Sequence, residues 1–230
     1  MVIQGLQKTT LLDYPGKVAC TVFTSGCNFR CPFCHNASLV IGTHQYKKIP
    51  EEEFFAFLKK RQGILDGVCV TGGEPLVHQD IKEFIQKIRQ LGFLVKLDTN
   101  GSFPKMLSQL LEEKLVDYVA MDIKNSPIKY AETIGVPDYN TAAIEKSIRI
   151  IMNSEVDYEF RTTVVQEFHT KADFVEIARL IKGAKAYYLQ QYVSSEDMIV
   201  SGYHSYDEKI MKQALDIVAS EVEVAKLRGL

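Results

Sequence analysis

From Val18 onward the chain alternates between short β-branched runs and longer stretches of helical period, a pattern that steers it toward strands interleaved with helices. The short runs read as strands at about residues 18–24, 67–71, 93–98, 117–124, 158–165 and 186–192. The stretches between them carry helix start signals: Pro50 before Glu51, Glu52 and Glu53, Pro104 after Ser102, and Thr170 three residues ahead of Asp173. Apolar residues at three- and four-residue spacing mark the buried faces, as in Ile81, Phe84, Ile85 and Ile88, or Ile144, Ile148, Ile151 and Met152. Ser205 with Glu208 reads as a capping box opening a C-terminal helical segment, 205–230, whose helix runs to about residue 222 with Ile210, Ala214, Leu215 and Val218 inward.

Six strands, each followed by a helix, make an α/β fold with a parallel sheet. A doubly wound open sheet wants a glycine-rich phosphate loop after its first strand, and that place holds Ser25-Gly26-Cys27 and more cysteine. A full eight-fold barrel wants about 250 residues. Six units in 230 residues fit an incomplete (βα)6 partial TIM barrel with parallel strands. No repeat, low-complexity tract or linker divides the chain, so residues 1–230 read as one domain. Residues 1–17, with a turn at Tyr14-Pro15-Gly16, read as an N-terminal extension.

Lys and Arg number 27 against 29 Asp and Glu, a formal net charge of −2, which gives no basic excess for nucleic acid. No apolar run approaches the roughly 18 residues of a membrane span, and residues 1–10 lack the basic start and apolar stretch of a secretory leader. The expectation is a cytoplasmic protein without nucleic-acid or membrane partners, whose five cysteines are reduced thiols.

Those cysteines are unevenly placed. Cys20 and Cys69 sit singly in apolar strands, where a free thiol packs as a small hydrophobe. Cys27, Cys31 and Cys34 form a CxxxCxxC spacing in the loop after the first strand. A structural zinc site and three unrelated core thiols are the bland readings. Zinc takes four closed ligands, normally in short-spaced couples; the chain offers no second couple, and His35 stands awkwardly next to Cys34. An iron-sulfur cluster held by three thiolates, one iron left open for substrate or cofactor, fits better.

The run Cys27-Asn28-Phe29-Arg30-Cys31-Pro32-Phe33-Cys34-His35-Asn36 resembles the cluster loop of the radical S-adenosylmethionine superfamily, including the aromatic residue before the last cysteine. The resemblance implies a 4Fe-4S cluster on Cys27, Cys31 and Cys34. Its open iron would chelate the amino and carboxylate groups of S-adenosyl-L-methionine, and one-electron cleavage would give a 5′-deoxyadenosyl radical.

In a barrel of parallel strands, function gathers at the C-terminal strand ends. Thr71-Gly72-Gly73-Glu74-Pro75 joins two glycines that admit a ligand to the backbone with a carboxylate suited to an ammonium. It resembles the GGEP motif, which implies that Gly72, Gly73 and Glu74 meet the methionine amino group. Asp98-Thr99-Asn100-Gly101 and Met121-Asp122-Ile123-Lys124 resemble the DTNG and MDxK segments of glycyl-radical activating enzymes, implying cofactor contacts from Asp98, Thr99, Asn100, Asp122 and Lys124. Two carboxylates at one mouth repel unless a cation or a raised pKa relieves them, so a bound monovalent cation is expected between Asp98 and Asp122. Arg161 stands where activating enzymes carry an Arg near the cofactor carboxylate; an ion pair with Glu159, on the same strand face, is the competing reading. At the end of the sixth strand, where pyruvate formate-lyase activators carry His, one glutamine of the pair Gln190 and Gln191 is expected to meet the adenine or ribose, Gln190 being the one assigned. His78, His169 and His204 read as exposed and structural.

The likeness is greatest to the anaerobic ribonucleoside-triphosphate reductase activating proteins, over roughly residues 5–192, beginning at Leu12-Asp13-Tyr14-Pro15-Gly16-Lys17. It implies a radical SAM oxidoreductase of anaerobic metabolism that abstracts hydrogen from a glycine of a partner glycyl radical enzyme, with a flavodoxin- or ferredoxin-type electron donor. Activation of another glycyl radical enzyme, a radical enzyme acting on a small molecule, and a non-catalytic metal binder are the rivals.

Overall fold

A computed structural model describes residues 1–230. Eight strands form one sheet in chain order: β1 Ile3–Thr10, β2 Ala19–Thr24, β3 Gly67–Gly72, β4 Leu94–Thr99, β5 Tyr118–Asp122, β6 Asp157–Val164, β7 Tyr187–Gln191 and β8 Ala225–Arg228. The helices are α1 Ala37–Val40, α2 Glu51–Lys59, α3 Ile81–Gln90, α4 Pro104–Glu112, α5 Tyr130–Ile134, α6 Ala142–Met152, α7 Lys171–Leu180 and α8 Glu208–Ala219. The six strands read from the sequence are β2 to β7, each pairing in parallel with the next. Ile81, Phe84, Ile85 and Ile88 of α3 and Ile144, Ile148 and Ile151 of α6 are buried as their spacing predicts, each stabilising the fold by roughly 1.5–3 kcal/mol relative to exposure. No helix is long and apolar enough to cross a membrane.

Two terminal assignments change. The N-terminal extension contains β1, which lies antiparallel on β2 as an edge strand. Of its residues only Ile3 and Thr10 are buried, so it lacks the apolar alternation of a half-buried strand. The turn after it is present: Lys17 N–H donates to the Tyr14 carbonyl at 3.1 Å, with Gly16 at φ 69°, the positive φ that a type II turn requires. The C-terminal segment 205–230 is a helix followed by a strand. Asp207, rather than Ser205, caps α8 by accepting from Ile210 N–H at 2.8 Å. Met211, Ala214 and Val218 face inward, which leaves Ile210 and Leu215 half-buried. After Ala219 the chain returns as β8, parallel to β7.

β1 and β8 do not pair, so the sheet is a partial barrel, open along one side. Its register sets Cys69 beside Lys96, Asp122 beside Arg161, and Thr163 beside Gln190. Much of the inner face is therefore polar and charged, where a closed barrel stacks branched aliphatic layers.

Candidate functional site

The loop after β2 arches over the C-terminal strand ends and is clamped from two sides. Gly26 N–H donates to the Leu39 carbonyl at 2.7 Å, and the Gly26 carbonyl accepts from Glu74 N–H at 2.8 Å. A Cβ on Gly73 would sit 2.0 Å from that same carbonyl, so the close backbone neighbour requiring glycine is the loop itself. On the other side Arg30 N–H donates to the Ile134 carbonyl at 2.8 Å. There Gly135, at φ 64°, leaves no room for a Cβ, which would lie 2.3 Å from the Arg30 carbonyl. The segment after β7 adds a third tether: Val200 N–H donates to the Pro32 carbonyl at 2.8 Å, and the Asp197 carboxylate accepts from Ser38 N–H at 2.8 Å and Ser38 Oγ at 2.7 Å.

Beneath the loop lies a cavity of about 280 Å³. Cys27, Cys31 and Cys34 line it together with Gly72, Gly73, Asp98, Thr99, Asn100, Asp122, Lys124, Arg161 and Gln190, as do Phe29, Phe33, His35 and Thr163. A larger groove of about 860 Å³ lies at the opposite end of the barrel, between Arg89, Asp117, Arg149 and Asp157. It holds none of the motif residues, and its mixed charges and open shape define no chemistry.

The cavity floor is an ion-pair array. Arg161 bridges the two carboxylates, with Nε 3.0 Å from Asp122 Oδ1 and Nη1 3.3 Å from Asp98 Oδ2. Lys124 Nζ donates to Asp122 at 2.9 Å, and the buried Lys96 pairs with Asp98. Burial alone would raise both carboxyls, but the neighbouring cations prevail: Arg161 and Lys96 hold Asp98 below its usual range, and Lys124 and Arg161 bring Asp122 down to about 2. Burial opposes the charge on Lys124 and Arg161 in turn, and the carboxylates outweigh it and raise both. The three cations outweigh the repulsion between the two carboxylates, so relieving it no longer requires a bound monovalent cation. Nor is Arg161 the chief partner of Glu159, which stands 4.0 Å away. Arg228 of β8 holds Glu159 through two bonds of 2.8 Å; the four-residue strand that carries it is too short to show a period.

Glu74 does not line the cavity. Its carboxylate is fully buried and accepts from Leu76 N–H at 3.0 Å, Thr99 Oγ1 at 2.8 Å and Asn100 N–H at 2.5 Å. Burial, moderated by these donors, pushes it up to about 7. The Thr99 and Asn100 side chains face the cavity wall, yet both are committed within the protein: Thr99 Oγ1 to Glu74 and Gly101 N–H, Asn100 Nδ2 to Asn28 Oδ1 at 3.0 Å. Of the two glutamines, strand alternation sends Gln190 to the cavity, while Gln191 Nε2 donates to the Tyr206 carbonyl at 2.8 Å. Cys20 and Cys69 are fully buried; Cys69 Sγ touches Lys96 and Asp98 at 3.8 Å. His204 is exposed as expected. His169 is instead buried, within 2.9 Å of the Lys124 carbonyl, and His78 lies 2.7 Å from the Ser25 carbonyl; each ties together loops that sequence alone does not join.

No three His, Cys, Asp or Glu side chains close on one point where a single metal ion would sit; the three thiols instead share the wall of a cavity. That donor set, sulfur only and lacking a fourth ligand, fits a cluster better than zinc. Burial pushes the Cys27 thiol to about 11 and Cys31 to about 12, against the pull of the Lys124 ammonium. Loading metal must therefore displace protons from this loop.

Residues 21–181 match the Radical SAM superfamily, and the chain belongs to that superfamily. It is 31% identical over 217 residues, 92% of this chain and 85% of the relative, to a candidate glycyl-radical enzyme activating enzyme of Methanocaldococcus jannaschii. It is 26% identical over 163 residues, 70% of this chain and 74% of the relative, to the 7-carboxy-7-deazaguanine synthase of Thermoplasma acidophilum. Among solved structures, a domain of pyruvate-formate lyase-activating enzyme from Bacteroides vulgatus aligns at TM-score 0.57 and 18% identity over 71% of this chain and 99% of that one. Streptococcus suis SuiB aligns at TM-score 0.70 and 14% identity over 92% of this chain and 49% of that one. These structural likenesses show the fold, a partial barrel.

Proposed function

We propose that this chain is a glycyl-radical activating enzyme that abstracts hydrogen from a backbone glycine of a partner enzyme, with anaerobic ribonucleoside-triphosphate reductase as the first candidate partner. The observation that carries the reading is the similarity to the Methanocaldococcus relative along nearly the whole of both chains. The sequence motifs add the reductase, and a flavodoxin- or ferredoxin-type protein is the proposed electron donor. The group bound by Cys27, Cys31 and Cys34 would be a 4Fe-4S cluster that supplies one electron to cleave S-adenosylmethionine and generate the hydrogen-abstracting radical.

The residues suit the remaining tasks. Lys96, Lys124 and Arg161 outnumber Asp98 and Asp122 by one charge, a net attraction for the carboxylate of a zwitterionic cofactor. Gly72 and Gly73 offer backbone at the cavity wall. Gln190 offers both an amide donor and an acceptor to a ribose or a base. The cysteine loop forms one wall of the cavity and is braced by the segment after β7.

Strictly anaerobic reconstitution tests this. Four iron and four sulfide per chain, reductive cleavage of S-adenosylmethionine, and a glycyl-radical doublet by electron paramagnetic resonance in an added reductase are the expected results. Zinc without iron would overturn the cluster. Cleavage without the doublet in any glycyl radical enzyme would transfer the chain to small-molecule chemistry, where the likeness to 7-carboxy-7-deazaguanine synthase gives the first substrates to try.

A further inference from the structure

The three cysteine sulfurs have unlike surroundings. Cys27 Sγ accepts from Phe29 N–H at 3.3 Å and lies 3.8 Å from Asn100 Nδ2; no hydrogen bond reaches the sulfurs of Cys31 or Cys34, which lie in the field of the Lys124 ammonium. The Asn100 amide cannot be turned round, because its Oδ1 accepts from Ser102 N–H at 2.9 Å and Ser102 Oγ at 2.6 Å. Its NH₂ therefore points at the sulfur and at Asn28 Oδ1. Behind it the buried Glu74 carboxylate fixes the Asn100 backbone at 2.5 Å, and Asn100 itself is only 6% exposed.

We infer that Asn100, held by Glu74 and Ser102, is a positioning residue that donates an N–H···S bond to Cys27 and raises the reduction potential of the cluster bound there. The inference rests on Cys27, Cys31 and Cys34 holding a 4Fe-4S cluster. Its physical basis is that the reduced form puts more negative charge on the ligating sulfurs, so an N–H donor stabilises it more than the oxidised form. A chain that must pass an electron to a poorly reducible sulfonium while being reduced itself by a protein donor needs that potential set from both sides. Cys27 is the ligand whose N–H donors can be varied by a side chain.

The test is a redox titration of the reconstituted chain without S-adenosylmethionine, followed by electron paramagnetic resonance, with iron and sulfide measured on each sample. Asn100→Ala should shift the midpoint to more negative values at wild-type iron content. Asn100→Asp keeps the acceptor for Ser102 and replaces the donor with a carboxylate oxygen, so it should shift the midpoint further in the same direction. Ser102→Ala, which loosens the amide without removing it, should give a smaller shift of the same sign. Fully loaded Asn100→Ala and Asn100→Asp with the wild-type midpoint would overturn the inference. If neither takes up iron, an unchanged midpoint in Ser102→Ala overturns it instead. A wild-type chain that takes up no iron and sulfide refutes the cluster itself, which is a separate failure.

Discussion

Glu74→Ala separates two accounts of the GGEP segment: a carboxylate that meets the cofactor, and one that braces the protein. Truncation leaves Leu76 N–H, Asn100 N–H and Thr99 Oγ1 without their acceptor in a fully buried place. At about 1 kcal/mol per orphaned donor, the low end of the usual cost, the loss is roughly 3 kcal/mol, a large share of the roughly 5–15 kcal/mol that holds a domain together. The pH dependence sharpens this. The Glu74 carboxyl is raised from 4.5 to about 7, so between those values the folded chain binds a proton that the unfolded chain releases. Its stability contribution is full below pH 4.5 and is lost as pH rises through about 7. The alanine variant lacks this slope, and the gap to wild type should narrow with rising pH by roughly 3 kcal/mol. Urea unfolding of the metal-free chain between pH 5 and 8 measures both quantities, and Glu74→Gln, which keeps an acceptor for Leu76 and Thr99, should fall between. An alanine variant with wild-type unfolding at every pH but weakened S-adenosylmethionine binding would refute the bracing role.

Replacing Cys31 with Ala should abolish iron and sulfide uptake, whereas Cys69→Ala should take up both normally and lose only about 1–2 kcal/mol in urea unfolding through a small cavity; the reverse pattern would move the site. Arg161→Met leaves Asp98 and Asp122 facing each other without their bridge, at a cost of roughly 3–5 kcal/mol. In the wild type these depressed carboxyls contribute stability that is present above about pH 3.8 and lost as pH falls toward 2. Acid unfolding of the methionine variant should therefore begin at higher pH. Gly135→Ala should cost at least about 1–2 kcal/mol for the left-handed backbone alone and displace Arg30, lowering iron uptake; a variant that loads normally would show that this clamp does not set the loop.

The six parallel strands, the faces of α3 and α6, and the thiol cluster were legible because each is written in a local period or a short spacing. Alternation of two and of three to four places Val95 and Leu97 outward under helices and Lys96 and Asp98 inward on one sheet face. The terminal strands were not legible: β1 is an edge strand whose sequence is mostly polar, and β8 is four residues long. The motif residues were found, but motif order does not say which way a carboxylate points.

The sequence by itself thus determined the fold class and the clustering of three thiols in one loop, since both follow from residue type and spacing along the chain. Only the tertiary structure decided what the charged residues do. Glu74 turns inward because three donors from two different loops meet it. Asp98 and Asp122 share Arg161 because strand register sets three separate segments side by side, and electrostatic energy depends on those distances rather than on position along the chain.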